Sequence, residues 1–295
     1  MTTAVREPLS GEQILEMMEK ALAMDSVELK LMVPDEQRMT LANLGADPLK
    51  AQIRQVYFFD TPDLQLYESG VIVRARRSQN DDDDTVIKRR PVEADDIPKA
   101  VRDSPHFKLE LDATRSGYVI SGSMKGKRPP GTLLETLARE RPLSKLFTKE
   151  QRSFMDSLGV EAGIWESLIP LGPMNVIKLK YDARGISAPV TIEQWHYPGE
   201  SPAVEISVTA RPAGETIRLL SEARQFLRDK GLSAGEDNQT SKTRGALAFL
   251  SRQAGLSNQL TRSADAPSSG KRAHARHSAT ATREPREAPG RSSTQ

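Results

Sequence analysis

Phe107-Lys108-Leu109-Glu110-Leu111-Asp112 is the stretch that decides the fold class. Apolar side chains occupy every second position and charges occupy the positions between. A period of two puts the two sets on opposite faces of a β-strand. Six more segments share the habit. Val27, Leu29 and Leu31 alternate with Ser26, Glu28 and Lys30; Val71, Val73 and Ala75 alternate with Arg74 and Arg76. Ile87 opposes Lys88 and Arg90, and Ile177, Leu179 and Tyr181 alternate with Lys178 and Lys180. Val190 and Ile192 alternate with Thr191 and Glu193, and Val204, Ile206 and Val208 with Glu205 and Ser207. An eighth segment, Ile53 to Phe59, is aromatic and less cleanly patterned. The chain reads as an α+β protein, mainly antiparallel β.

Helical periodicity marks three stretches around these strands. Glu12 to Met24 puts Ile14, Leu15, Met18, Ala21 and Leu22 on one stripe behind a Ser10 N-cap. Leu133 to Leu158 reads as one or two helices interrupted at Pro142. Gly214 to Lys230 sets Ile217, Leu220, Ala223 and Leu227 together and stops before Gly231, a residue suited to a C-cap. The division expected from this is a helical segment over 1–24, a β domain over 25–252 with a helical insertion near 133–160, and a tail over 257–295. That tail is rich in Ser, Ala, Arg, Thr and Pro, with seven Lys/Arg against three Asp/Glu and one large apolar residue, Leu260. It cannot bury enough surface to offset its ordering entropy, so disorder is expected there. The Asp81 to Asp84 run, between two strand-like segments, reads as a solvated hairpin loop.

Composition removes several chemistries. The 295 residues include no cysteine, which excludes disulfides, thiol nucleophiles and thiolate zinc sites. There are four histidines, and His274 and His277 fall in the tail, leaving only His106 and His196 for any imidazole centre. His196, beside Trp195 at a strand end, reads as packed. A formal net charge of +2 offers no global field for nucleic acid, so electrostatic recognition has to be local. No apolar run approaches a membrane span, and the first nine residues lack a secretory apolar stretch, so the expected compartment is the cytoplasm. Nucleic acid could be met weakly through the basic tail, and a homodimer is allowed.

The charged strand faces have two readings. An antiparallel sheet commonly turns its polar face to water. The rival is a closed barrel turned inside out, with charges in the lumen and helices over an apolar exterior. The amphipathic helices, which need an apolar surface to cover, favour the barrel. So does the chemistry of the face, whose eight cations and five carboxylates suit a multiply charged anion accompanied by a divalent cation.

The segment Tyr57-Phe58-Phe59-Asp60-Thr61-Pro62-Asp63-Leu64, followed by Leu66, Gly70 and Arg74-Ala75-Arg76-Arg77, resembles the signature of the CYTH family. These are the triphosphate tunnel metalloenzymes, among them inorganic triphosphatases, thiamine triphosphatases and class IV adenylate cyclases. Glu28-Leu29-Lys30, Lys88, Lys108-Leu109-Glu110-Leu111-Asp112, Lys178 and Lys180, Glu193, Glu205 and Ser241-Lys242-Thr243 follow in family order, so the resemblance spans roughly residues 25 to 250. It implies an eight-stranded antiparallel barrel with a charged tunnel. It also implies metal-dependent hydrolysis of tripolyphosphate or an organic triphosphate. Arg74, Arg76, Lys88, Arg90, Lys108, Lys178, Lys180 and Lys242 would hold the substrate. Lys30, Glu110 and Glu193 would serve the chemistry, and Glu28, Glu205 and Asp112 would hold Mg²⁺ or Mn²⁺.

Two positions depart from the family pattern. Ser26 stands where the opening Glu-x-Glu-x-Lys motif has its first glutamate, and Ser207 where a late Glu-x-Glu pair has its second. A non-catalytic tunnel that binds polyphosphate or nucleotide is therefore a second reading, and a class IV adenylate cyclase a third. Gly122-Ser123-Met124-Lys125-Gly126-Lys127 lacks the spacing and the following Ser/Thr of a Walker A loop, so it is not read as a phosphate loop. Asp60 and Pro62 read as a turn at a strand end.

Overall fold

The computed structural model describes residues 10–33, 44–114, 117–211, 215–232 and 242–261. Nine strands are present: β1 (Ser26–Val33), β2 (Gln52–Asp60), β3 (Val71–Ser78), β4 (Asp83–Arg89), β5 (Phe107–Thr114), β6 (Gly117–Arg128), β7 (Ile169–Tyr181), β8 (Val190–His196) and β9 (Ala203–Ala210). They close into a barrel in the order β1-β5-β6-β4-β3-β2-β7-β8-β9. The eight alternating segments all become strands, and β6 is the ninth. A ring with an odd number of strands cannot alternate direction throughout. The parallel pair falls between β1 and β5, with Glu28 opposite Asp112, whereas β1 meets β9 antiparallel, with Lys30 opposite Ser207.

Strand β6 contains the Gly-Ser stretch that looks superficially like a phosphate loop. Its glycines face outward, where neighbours leave no room for a side chain. A Cβ at Gly122 would lie 2.8 Å from the Phe107 ring. One at Gly126 would lie 2.7 Å from Gln151 Oε1 and 2.9 Å from Thr148. Its serines face inward.

Eight helices complete the described chain: α1 (Gly11–Leu22), α2 (Gln65–Glu68), α3 (Lys99–Arg102), α4 (Thr132–Ala138), α5 (Lys149–Ser157), α6 (Ile164–Ser167), α7 (Thr216–Asp229) and α8 (Lys242–Gln253). Ser10 caps α1 through a reciprocal box with Gln13, as its position suggests, and Gly231 ends α7 at φ 67°. The expected stripes are borne out in part: Ala21 is buried and Met18, Leu220, Ala223 and Leu227 pack partly buried against the core. Met17 and Ala21 are buried on α1 and Leu219 and Phe226 on α7, while Leu15 (65 %), Leu22 (74 %) and Ile217 (57 %) are exposed. Near Pro142 the insertion breaks into α4, a short 3-10 turn and α5.

The main core lies outside the barrel. Val27, Leu29, Val73, Ile87, Leu111, Leu179 and Ile192 pack there beneath α1, α4, α5 and α7, with Leu133, Phe154, Met155 and Leu219 among the covering side chains. Phe147 meets Phe59 edge-on at 5.8 Å and Trp165 at 5.1 Å. Gln151 is fully buried and ties α5 to the barrel, donating to the carbonyls of Thr85 and Met124 and accepting from the Thr85 hydroxyl. A smaller core fills one end of the barrel interior. There Val56, Phe58, Ile72, Val176 and Trp195 meet Ala246, Leu247 and Leu250 of α8.

Two expectations need correcting. The acidic run is not wholly solvated: Asp83 is buried and accepts from the Leu133 amide at the start of α4, and Asp84 pairs with Arg76. The packed chain also extends past Ser257, because Asn258, Leu260 and Thr261 are buried. Leu260 joins the smaller core beside α8, and Asn258 and Thr261 exchange hydrogen bonds. The remainder of the expected tail, 262–295, lies outside the described residues.

Candidate functional site

The inward faces of the strands enclose a cavity of about 550 Å³. Alternation dictates its lining, since every second residue of a strand in a closed barrel points to the axis. Arg74 and Arg76 reach it from β3, Lys88 and Arg90 from β4 and the residue beyond it, Lys178 and Lys180 from β7. Glu28 and Lys30 come from β1, Glu110 and Asp112 from β5, Glu193 from β8, Glu205 from β9 and Lys242 from α8. Of the predicted site residues, only Lys108 is not among the lining side chains. It stands at the start of β5, before the strand enters the cavity wall.

The lysines and carboxylates are already engaged with each other. Lys30 Nζ lies 2.8 Å from Asp112 and 3.0 Å from Glu28, and Lys88 Nζ is 3.0 Å from the other Asp112 oxygen. Across the lumen Lys242 donates to Glu193 and, at 2.6 Å, to Glu205; Lys178 lies 3.7 Å from Glu193. The Trp195 indole donates to Glu193 at 3.3 Å, and the Lys242 ammonium sits 5.7 Å from the Trp195 ring centre. Lys125 meets Glu110 at 3.3 Å.

These contacts set the proton affinities. Burial alone would raise Asp112, but Lys88 and Lys30 overcome it and hold the carboxyl well below its usual range. Glu193 is depressed in the same way, burial being outweighed by Lys242 and Lys178. Lys30 is raised, because Asp112, Glu28 and Glu205 together exceed the effect of burial. Asp112, Glu193 and Lys30 are therefore charged at neutral pH.

The arginines stand in a different environment. Arg74 is pushed down to about 10 by burial, with Arg76 adding repulsion, and its Nε has no hydrogen-bond partner among the described residues. Arg76 is held by Asp84 at 2.8 Å. Arg54 donates to the neutral amide of Gln52 and is lowered by burial and by Arg76. Lys178 is pushed down to about 8, mainly by burial. A group of buried cations that outnumbers its carboxylate partners, here Asp84 and Glu193, is costly unless an anion joins it.

Sequence reasoning overlooks Arg54, Lys125, Arg211 and Trp195, all of which line the cavity. Arg54 precedes the aromatic part of β2, where Phe58 and Phe59 are both buried on opposite faces and obscure the period. Lys125 lies on β6, whose serines and glycines carry no hydropathy signal. Arg211 follows β9 directly and keeps its two-residue spacing from Glu205, Ser207 and Thr209, a signal that was available.

The resemblance implies a divalent cation on Glu28, Glu205 and Asp112, and the residues present do not fit one. An ion of this class needs several convergent oxygens. Among the described residues no group of three carboxylates or imidazoles converges. Glu28 and Asp112 are bridged by an ammonium, Glu205 shares a different ammonium with Glu193, and Ser26 and Ser207 supply no charge.

No family model and no curated protein matches the chain by sequence. Among solved structures the barrel is similar to that of a Hippeastrum protein provisionally named an adenylyl cyclase, in which a triphosphatase activity dominates. The TM-score is 0.53 at 18% identity, covering 80% of this chain and 99% of that one. It is also similar to a provisionally named adenylate cyclase of Bacillus halodurans, with a TM-score of 0.51 at 13% identity over 75% of this chain and 98% of that one. The fold is thus the barrel of these two proteins, consistent with the resemblance to the CYTH family.

Proposed function

We propose that the lumen binds the triphosphate group of inorganic tripolyphosphate or a small organic triphosphate and hydrolyses its terminal anhydride. The observation that carries this reading is the excess of cations in an enclosed space. Eleven Lys and Arg side chains line the cavity against five carboxylates. A triphosphate carries about four negative charges at neutral pH and needs such compensation to leave water. Its length and forked oxygens suit the Arg54, Arg74 and Arg76 cluster, since guanidinium grips phosphate in bidentate fashion.

The chemistry expected of such a site is in-line attack of water on the terminal phosphorus. A new P–O bond forms, the bridging P–O bond breaks, and diphosphate or the organic diphosphate departs. Arg74, Arg76 and Lys178 stabilise the charge spread over the phosphoryl oxygens. The proton of the attacking water needs an acceptor. Asp112 and Glu193 are poor ones, being held far below neutrality. Glu110, which meets the single ammonium of Lys125, is the carboxylate we assign to that step.

The test is phosphate release from tripolyphosphate, thiamine triphosphate and ATP, each with Mg²⁺, with Mn²⁺ and with a chelator. Release from at least one substrate, lost in Arg74→Met and Glu110→Gln, is the expected result. Binding without release under every condition would leave the second reading, a non-catalytic polyphosphate- or nucleotide-binding tunnel. That reading is favoured by Ser26 and Ser207 and by the weak basicity of the doubly paired carboxylates. Cyclic AMP formed from ATP would move the assignment to the cyclase.

A further inference from the structure

Every carboxylate lining the lumen is engaged by an ammonium group. Each of the five lining carboxylates has a lysine Nζ within 3.3 Å. Lys242 stands between Glu193 and Glu205, and Lys30 between Glu28 and Asp112, which are the positions a bridging cation would take. The two remaining places where the family pattern supplies carboxylate hold Ser26 and Ser207. The Ser26 hydroxyl is buried with no hydrogen-bond partner among the described residues, and it brings no negative charge to a cation. Replacing two carboxylates by hydroxyls also leaves the lumen more positive by two charges. The surplus of six cationic side chains is then enough to offset a triphosphate unaided.

We infer that this lumen takes the triphosphate group as the free polyanion, with lysine ammonium groups in place of a divalent cation. The inference rests on the reading of the lumen as a triphosphate site and names the form of ligand that site accepts. Metal chelation would then work against binding. A magnesium-complexed triphosphate brings two fewer negative charges to the arginine cluster, and its metal meets carboxylates already held by ammonium.

Calorimetric titration of tripolyphosphate into the full chain tests this, once with a chelator and once with Mg²⁺ or Mn²⁺ in excess. The expected result is a Kd in the chelator equal to or tighter than the Kd with metal. Tightening of about tenfold or more on adding either ion overturns the inference while leaving the triphosphate site standing. Absence of binding in both conditions removes the site itself, and this inference with it. Manganese alone gives a second readout by electron paramagnetic resonance. The free-ion signal should be undiminished by the wild-type chain and reduced by Ser26→Glu/Ser207→Glu, and likewise by Lys242→Met, which releases Glu193 and Glu205. Stoichiometric loss of the signal with wild type, or no loss with the double glutamate variant, counts against ammonium and hydroxyl as the reason the ion is excluded.

Discussion

One wall of the lumen is balanced and the other is not. On β1, β4, β5, β6, β8, β9 and α8, lysines and carboxylates satisfy one another at 2.5 to 3.3 Å. On β2 and β3, Arg76 alone pairs with a carboxylate, Asp84, while Arg54 donates to Gln52 and Arg74 makes no ion pair among the described residues. The balanced wall contributes to holding the barrel in shape, and the unbalanced one stores an unmet demand for anion. The same residue types thus do two jobs, separated by whether a counter-charge is built in.

The sharpest way to break this comparison is to remove one cation from each wall. Arg74→Met should lower tripolyphosphate affinity by roughly 10²–10³-fold in titration calorimetry, as for loss of a preorganised donor. Its melting temperature should hold or rise, because a buried charge without a full set of partners has gone. Lys242→Met should do the reverse to the fold. Glu205 is left buried without its ammonium and Glu193 with only Lys178, at 3.7 Å, a loss of about 3–5 kcal/mol by urea denaturation. Equal stability changes in the two variants would erase the distinction between the walls.

Lys178, which belongs partly to each wall, sharpens it further. Its folded value of about 8 lies below the ordinary 10.5. Between those values the unfolded chain binds the extra proton, so this lysine contributes stability that grows as pH rises from 8 to 10.5. Bound polyanion favours the ammonium, so affinity should fall with pH over the same window by up to about tenfold per pH unit for the one proton taken up. Lys178→Met should lack the decline when affinity is followed from pH 7 to 10.

Asp60 supplies the smallest contrast, a buried carboxylate compensated by backbone amides rather than by ammonium. It accepts from the amides of Thr61, Leu66 and Tyr67, which anchors α2. Burial nevertheless pushes it up to about 6 from 3.8. The folded state holds the proton longer, so its contribution to stability is greatest below 3.8 and declines as pH rises through 6. Asp60→Asn should flatten that part of the profile, read as melting temperature between pH 4 and 7.

The barrel was legible because its charges obey a period of two, and period survives any change of neighbours. Which face pointed inward was not legible from period alone; it became so through helices that needed an apolar surface. Strand β6 stayed hidden because Gly122 and Gly126 are small for the sake of Phe107 and Gln151, contacts that lie distant in sequence. The cations of the site could be picked out one by one. Their pairing could not, since whether Lys30 faces Asp112 or an empty space depends on a parallel register between strands some eighty residues apart. The implied metal ligands failed for that reason: Glu28, Asp112 and Glu205 are where the pattern puts them, but each is already taken.

Strand β1 hydrogen-bonds on one edge to β5 and on the other to β9, so the ring is sealed by its first and last members. During synthesis from the amino end, the first strand waits for residues 203–210 before its second edge is covered, and Lys242 emerges later still. Contacts of such long sequence separation make for slow folding and a prolonged open edge. Glu193 and Glu205 meanwhile lack their ammonium, and a nascent chain stalled before α8 carries every arginine of the anion cluster without the helix that completes the vessel.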